Sequence, residues 1–127
     1  MEGLEEAGEV VGNMRPAEIK DDHKYSWTNH VKGKMQHYAL SPSVVKRVIR
    51  APKRMEEGVA PGTIAVMQPR GNKQITEIWV MYQKLKGDKK RIITAWRYPG
   101  VSPVRDQIPV PADIRDQLED LLIENES

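Results

Sequence analysis

The stretch "QITEIWVMYQKL", Gln74–Leu85, decides the fold. Ile78, Trp79, Val80, Met81 and Tyr82 form an unbroken apolar run between polar ends. Successive side chains of a strand point to opposite faces, so such a run suits a central strand covered on both sides. Two further strand patterns flank it: "TIAVMQP" before, joined to it by the turn-rich "PRGNK", and "RIITAWRYP" after, beyond "KGDKK". Three consecutive antiparallel strands follow from this spacing, with room for a fourth. In the last of them, strict alternation sends Arg91, Ile93, Ala95 and Arg97 to one face and Ile92, Thr94, Trp96 and Tyr98 to the other.

Helical periodicity lies outside the strands. In "NHVKGKMQHY", Asn29–Tyr38, the residues Val31, Met35 and Tyr38 make one stripe, and His30, Lys34 and His37 a polar edge about a quarter-turn away. "LSPSVVKRVIRAPKR" has Ser41 to cap, Pro42 for the first turn, a Val44, Val45, Val48, Ile49 stripe, and Pro52 as a stop. "PADIRDQLEDLLIE" closes the chain with Ile114, Leu118, Leu121 and Leu122 on one face. Tyr25 and Trp27 alternate as a short strand or a cover over the core. The expected architecture is α+β: two N-terminal helices, a three- or four-stranded antiparallel meander sheet and a C-terminal helix. Of its three tryptophans, Trp79 and Trp96 belong in the core, and Trp27 is open.

At 127 residues and 39% apolar composition the chain supports one core. Residues 1–22, acidic and without sustained periodicity, are expected to be a mobile leader that shields the basic patch, and 23–127 a single domain. The lack of cysteine excludes disulfides and thiolate chemistry. No apolar segment suits a signal peptide or membrane span, so a cytoplasmic protein without membrane contact is expected. No phosphate-binding glycine loop, dinucleotide fingerprint, zinc-protease or serine-hydrolase motif occurs. His23, His30 and His37 recur every seven residues, or roughly 10 Å along a helix, too far apart to share an ion. Neither metal nor cofactor is expected.

Charge is distributed in blocks. Residues 1–23 hold seven acids and two bases, 24–54 eight bases and no acid, 84–97 six bases and one acid, and 98–127 seven acids and two bases. If the two basic blocks meet, Lys32, Lys46, Arg47, Arg50, Lys53, Arg54, Lys89 and Lys90 make a surface for a polyanion. A solvated basic face balanced by acidic ends is the simpler reading.

The segment "WTNHVKGKMQHYALSPSVVKRVIRAPKRMEEG" resembles the opening of small domains related to RelE-type and BrnT-type toxins, in the barnase, EndoU, colicin and RelE group. The strand "RIITAWR" resembles the "RIISARR" last strand of BrnT-type toxins, with Arg91, Thr94 and Arg97 on its arginine, serine and arginine positions; Trp96 departs from it. The resemblance spans about residues 25–98 and implies metal-independent RNA cleavage, which needs a base, an acid and a cation at the phosphorane. His30, Lys34, His37, Arg91, Thr94 and Arg97 are the candidates, against an ordinary polar helix edge. RNA is the expected partner, with an antitoxin or other acidic protein as the alternative. A non-catalytic RNA-binding or protein-interaction module is the competing function. Oligomeric state is not legible.

Overall fold

The computed structural model describes residues 19–103 and 107–118. Strand β1 (Tyr25–Trp27) leads into helix α1 (Asn29–Tyr38), and helix α2 (Pro42–Arg50) follows. Strands β2 (Arg54–Glu57), β3 (Ile64–Arg70), β4 (Thr76–Lys84) and β5 (Lys90–Pro99) come next, and residues 112–118 are helical (α3). The sheet is five-stranded and mixed, in the order β1-β5-β4-β3-β2. The α+β class stands, but the wholly antiparallel meander of three or four strands does not. β1 joins β5 in parallel, Tyr25 opposite Lys90, and Arg54–Glu57 forms an antiparallel edge on β3. Both additions are short edges: Tyr25 and Trp27 supply the alternation of β1 but not its parallel partner, and β2 has almost no apolar residue to mark it.

Local chemistry fixes the helix starts. Thr28 caps α1 by accepting the Val31 N–H (3.1 Å), and its hydroxyl donates to the Ile93 carbonyl (2.9 Å), tying the helix to β5. Ser41 caps α2 by accepting the Val44 N–H (3.2 Å), with Pro42 in the first turn.

The central strand is covered on both faces. Ile78, Val80 and Tyr82 meet Val31, Met35, Val45, Val48 and Ile49 from α1 and α2. Trp79 and Met81 meet Trp96, Ile108, Val110, Ile114 and Leu118 on the other side. Trp79 and Trp96 are fully buried and stack with centroids 5.9 Å apart; Trp27 is buried too. Leu121 and Leu122 lie outside the described residues. So do residues 1–18 of the expected leader, but Ile19, inside that range, is 5% exposed and packs in the core. Asp21 and Asp22 accept the N–H groups of Trp27 and Tyr25. The packed chain therefore reaches back at least to residue 19.

Strict alternation fails in β5. Ile92 faces Tyr82 and Thr94 faces Met81, so Ile93 is an extra residue, a β-bulge. Ile92 and Ala95 belong to the α1/α2 side, Ile93 and Trp96 to the α3 side. Arg91 and Arg97, expected on one face, stand on opposite faces.

Candidate nucleic-acid interface

Helix α1 runs along β5 beyond the end of β1, and His30, Lys34, Thr94 and Arg97 line this seam. His30 Nε2 shares a hydrogen bond with Thr94 Oγ1 (2.9 Å), and Thr94 is fully buried. Burial, and then the charge of Lys34, push the His30 imidazole below its ordinary value, while Asp113 acts weakly the other way. Lys34, one turn on, pairs with Asp113 of α3. The ammonium beside Asp113 holds that carboxyl below the usual range. At the far end of the seam Arg97 Nη2 donates to the Tyr38 carbonyl (2.9 Å) and Nη1 to Thr76 Oγ1 (3.3 Å). Burial, then the nearby Arg70, lower its affinity for the proton. His37 is exposed, its ring edge-on to Tyr38 at 4.6 Å.

His30 and Thr94 are thus brought together, Lys34 sits beside them, and Arg97 and His37 belong to the other end of the helix. Arg91 is half-buried on the α3 side of the sheet.

A second grouping lies where β1, α2 and the β4–β5 turn meet. His23, Lys24, Tyr25, Arg50, Gly87, Asp88 and Lys90 line a cleft of about 380 Å³. Lys46 Nζ stands 5.1 Å above the Tyr25 ring, and Lys90 Nζ lies 5.9 Å from the Tyr82 ring. The amine stems lie on apolar rings while their charges stay in water. Neither Lys24 nor Arg50 forms an ion pair among the described residues. Two carboxylates stand among these cations, Asp88 in the cleft and Asp22 within electrostatic reach of Lys46. Asp22 is committed to the N–H groups of Tyr25 and Lys24, which hold its carboxyl below the usual range.

The two basic blocks of the sequence therefore meet here in part, through Lys46, Arg50 and Lys90, with Lys89 next to Lys90 at the end of the turn. Arg47 and Lys53 are exposed but do not line the cleft, and Lys32 is half-buried on α1. Arg54 is not part of the basic surface. Its side chain is 10% exposed, 5.0 Å from the Trp79 ring centre, and bound to Glu56 and to Ser102 Oγ (2.8 Å). Ser102 Oγ in turn donates to the buried Glu77 (2.6 Å), which also accepts the Trp79 indole N–H (3.0 Å). Lys24 and His23 are the residues that sequence reasoning left out. Lys24 opens the longer basic block, but only the parallel β1–β5 pairing, invisible in local pattern, carries it to Lys90.

The chain is an α+β domain with a mixed five-stranded sheet and a basic cleft at the β1–β5 edge. No family model, curated protein or solved structure matches it. Among the described residues no helix is long and apolar enough to cross a membrane, and no cluster of three or more His, Asp or Glu could hold a metal ion.

Proposed function

We propose that this is an RNA-binding domain that grips the polynucleotide at the β1–α2–β5 cleft. The observation that carries this reading is the convergence of Lys24, Arg50 and Lys90, from three separate parts of the chain, around one opening, with Lys46 of α2 over the Tyr25 ring that lines it. Cations gathered by tertiary structure, and not spent on carboxylates, raise the local concentration of a polyanion and release its counterions on contact. The early-histidine helix and the arginine-ended β5 support a RelE/BrnT-like ancestry in which binding outlasts cleavage. Lys34 and Arg97, which would meet phosphate in a catalyst, are held by Asp113 and by the Tyr38 carbonyl.

Fluorescence anisotropy with labelled RNA at low salt tests the reading. The wild type should bind, and Lys46→Glu/Arg50→Glu should lose most affinity and flatten the dependence on salt. Binding unchanged in that variant would defeat the proposal. An antitoxin or other acidic protein on the same cleft is the competing partner and would compete with RNA in the same assay.

A second reading, RNA cleavage at the seam, draws on one observation. His30 Nε2 meets Thr94 Oγ1 at 2.9 Å beside Lys34, and burial lowers the ring's affinity for a proton, the direction that favours a base able to take a 2′-hydroxyl proton.

A further inference from the structure

We infer that the polynucleotide this face takes is a duplex, held by its phosphates and not by its bases. The inference rests on the RNA-binding reading above and concerns which form of nucleic acid the cleft selects.

Proteins that hold single strands supply aromatic faces on which successive bases stack, and much of their affinity comes from that stacking. This chain has three tryptophans, four tyrosines and no phenylalanine. Trp27, Trp79, Tyr82 and Trp96 are each at most 5% exposed, and Tyr25 is 7% exposed. Tyr25 lines the cleft, yet Lys46 stands over its ring and Trp27 packs at 6.0 Å. Tyr82 lies beneath Lys90 in the same way. The two half-exposed rings, Tyr38 and Tyr98, are elsewhere. Tyr98 is eight residues up β5 from Lys90, roughly 26 Å at strand rise. Tyr38 adjoins Arg97 at that same distant end. A base entering the cleft finds ammonium and guanidinium groups over sealed rings, and one exposed ring, the His23 imidazole, which is too little to stack successive bases.

With stacking reduced to one imidazole, affinity follows backbone charge density. Duplexes carry more charge per length than single strands, so each cation displaces more condensed counterion from them. Four contacting cations, Lys24, Lys46, Arg50 and Lys90, would give a salt slope of roughly −3.6 on a duplex. Phosphate contact carries no base information, so sequence is not read.

The experiment titrates wild-type protein into four kinds of labelled probe at several salt concentrations: an RNA duplex, its separated strands, an RNA duplex of scrambled sequence, and the matching DNA duplex. The duplexes should bind several-fold tighter than either strand. Both RNA duplex sequences should bind equally, and Arg50→Glu should reduce the duplex slope by about one. A DNA duplex that binds as well would assign recognition to phosphate alone; preference for the RNA duplex would add its A-form shape. Either result supports duplex recognition. Equal or tighter binding of a single strand, or sequence preference between the RNA duplexes, overturns the inference and leaves RNA binding intact. No binding by any probe at low salt overturns both.

Discussion

His30 Nε2 and Thr94 Oγ1 lie 2.9 Å apart, a hydrogen bond between the first turn of α1 and the bulged part of β5. The hydroxyl is fully buried and the imidazole half-covered, so charging the ring costs more in the folded chain than in the unfolded one.

A pH dependence of stability follows. With the folded value depressed below an ordinary value near 6.5, stability is complete above about pH 6.5. It is lost as the pH falls through the folded value, because the unfolded chain takes up the proton first. Urea midpoints measured from about pH 7.5 to 5 should fall in the wild type and fall less in His30→Gln, which removes the titration and leaves His23 and His37 in place.

If the seam cuts RNA, the reaction should survive chelator and leave 2′,3′-cyclic phosphate ends. His30→Ala should slow it on the order of 10² to 10⁴-fold. Undiminished cutting by His30→Ala, His37→Ala would exclude the histidines as proton carriers. Purified protein that leaves RNA intact at micromolar concentration would remove the nuclease reading and not the binding one.

Two glycines should respond with opposite signs. A Cβ on Gly33, in the middle of α1, meets nothing within 4 Å, so Gly33→Ala should stabilise the domain by about 0.5–1 kcal/mol. Gly71 sits at φ +109°, where a methyl group would run into the Gln74 carbonyl oxygen, and Gly71→Ala should cost more than about 1 kcal/mol. Chemical denaturation of the two variants side by side reads both.

Ser102 links Arg54 to Glu77, and Ser102→Ala removes one acceptor and one donor from a buried chain of polar groups. The expected loss is about 1–3 kcal/mol, since the partners left behind stay desolvated. A variant as stable as the wild type would mean that water replaces the hydroxyl.

Lys34→Met should change stability by less than about 1 kcal/mol. Its pair with Asp113 is only partly shielded, the two side chains being 18% and 55% exposed. Whatever loss there is should vanish in high salt.

The fold is legible where residues repeat with a clear period. The apolar run Ile78–Tyr82 marks the covered central strand, the caps of α2 stand in its sequence, and Ile114 and Leu118 face the core as their spacing implies. What cannot be read needs partners distant in sequence. β1 exists through Tyr25 and Trp27 but lies parallel to β5, which no local pattern announces. One unpaired residue, Ile93, breaks the alternation that groups Arg91 with Arg97. Arg54 reads as a surface base because residue type says nothing of Glu56 and Ser102 beside it. Of the site, the meeting of the basic blocks is foreshadowed by Lys46, Arg50 and Lys90, whereas Lys24 and His23 depend on where β1 lands.

That landing also sets an order of assembly. Thr28 bonds to Ile93 across 65 residues, a closure costing on the order of 4 kcal/mol in chain entropy before any contact repays it. The β2–β3–β4 hairpins need no such closure and can form first. On a ribosome, roughly 3 to 13 s separate the emergence of Tyr25 from that of Lys90. Throughout that interval α1 has no β5 to lie against, and Val31 and Met35 stay open to chaperones or to other nascent chains. The cleft, built from both ends of this span, is therefore among the last features to mature, and a prematurely terminated chain would carry the first basic block without the grip that Lys90 completes.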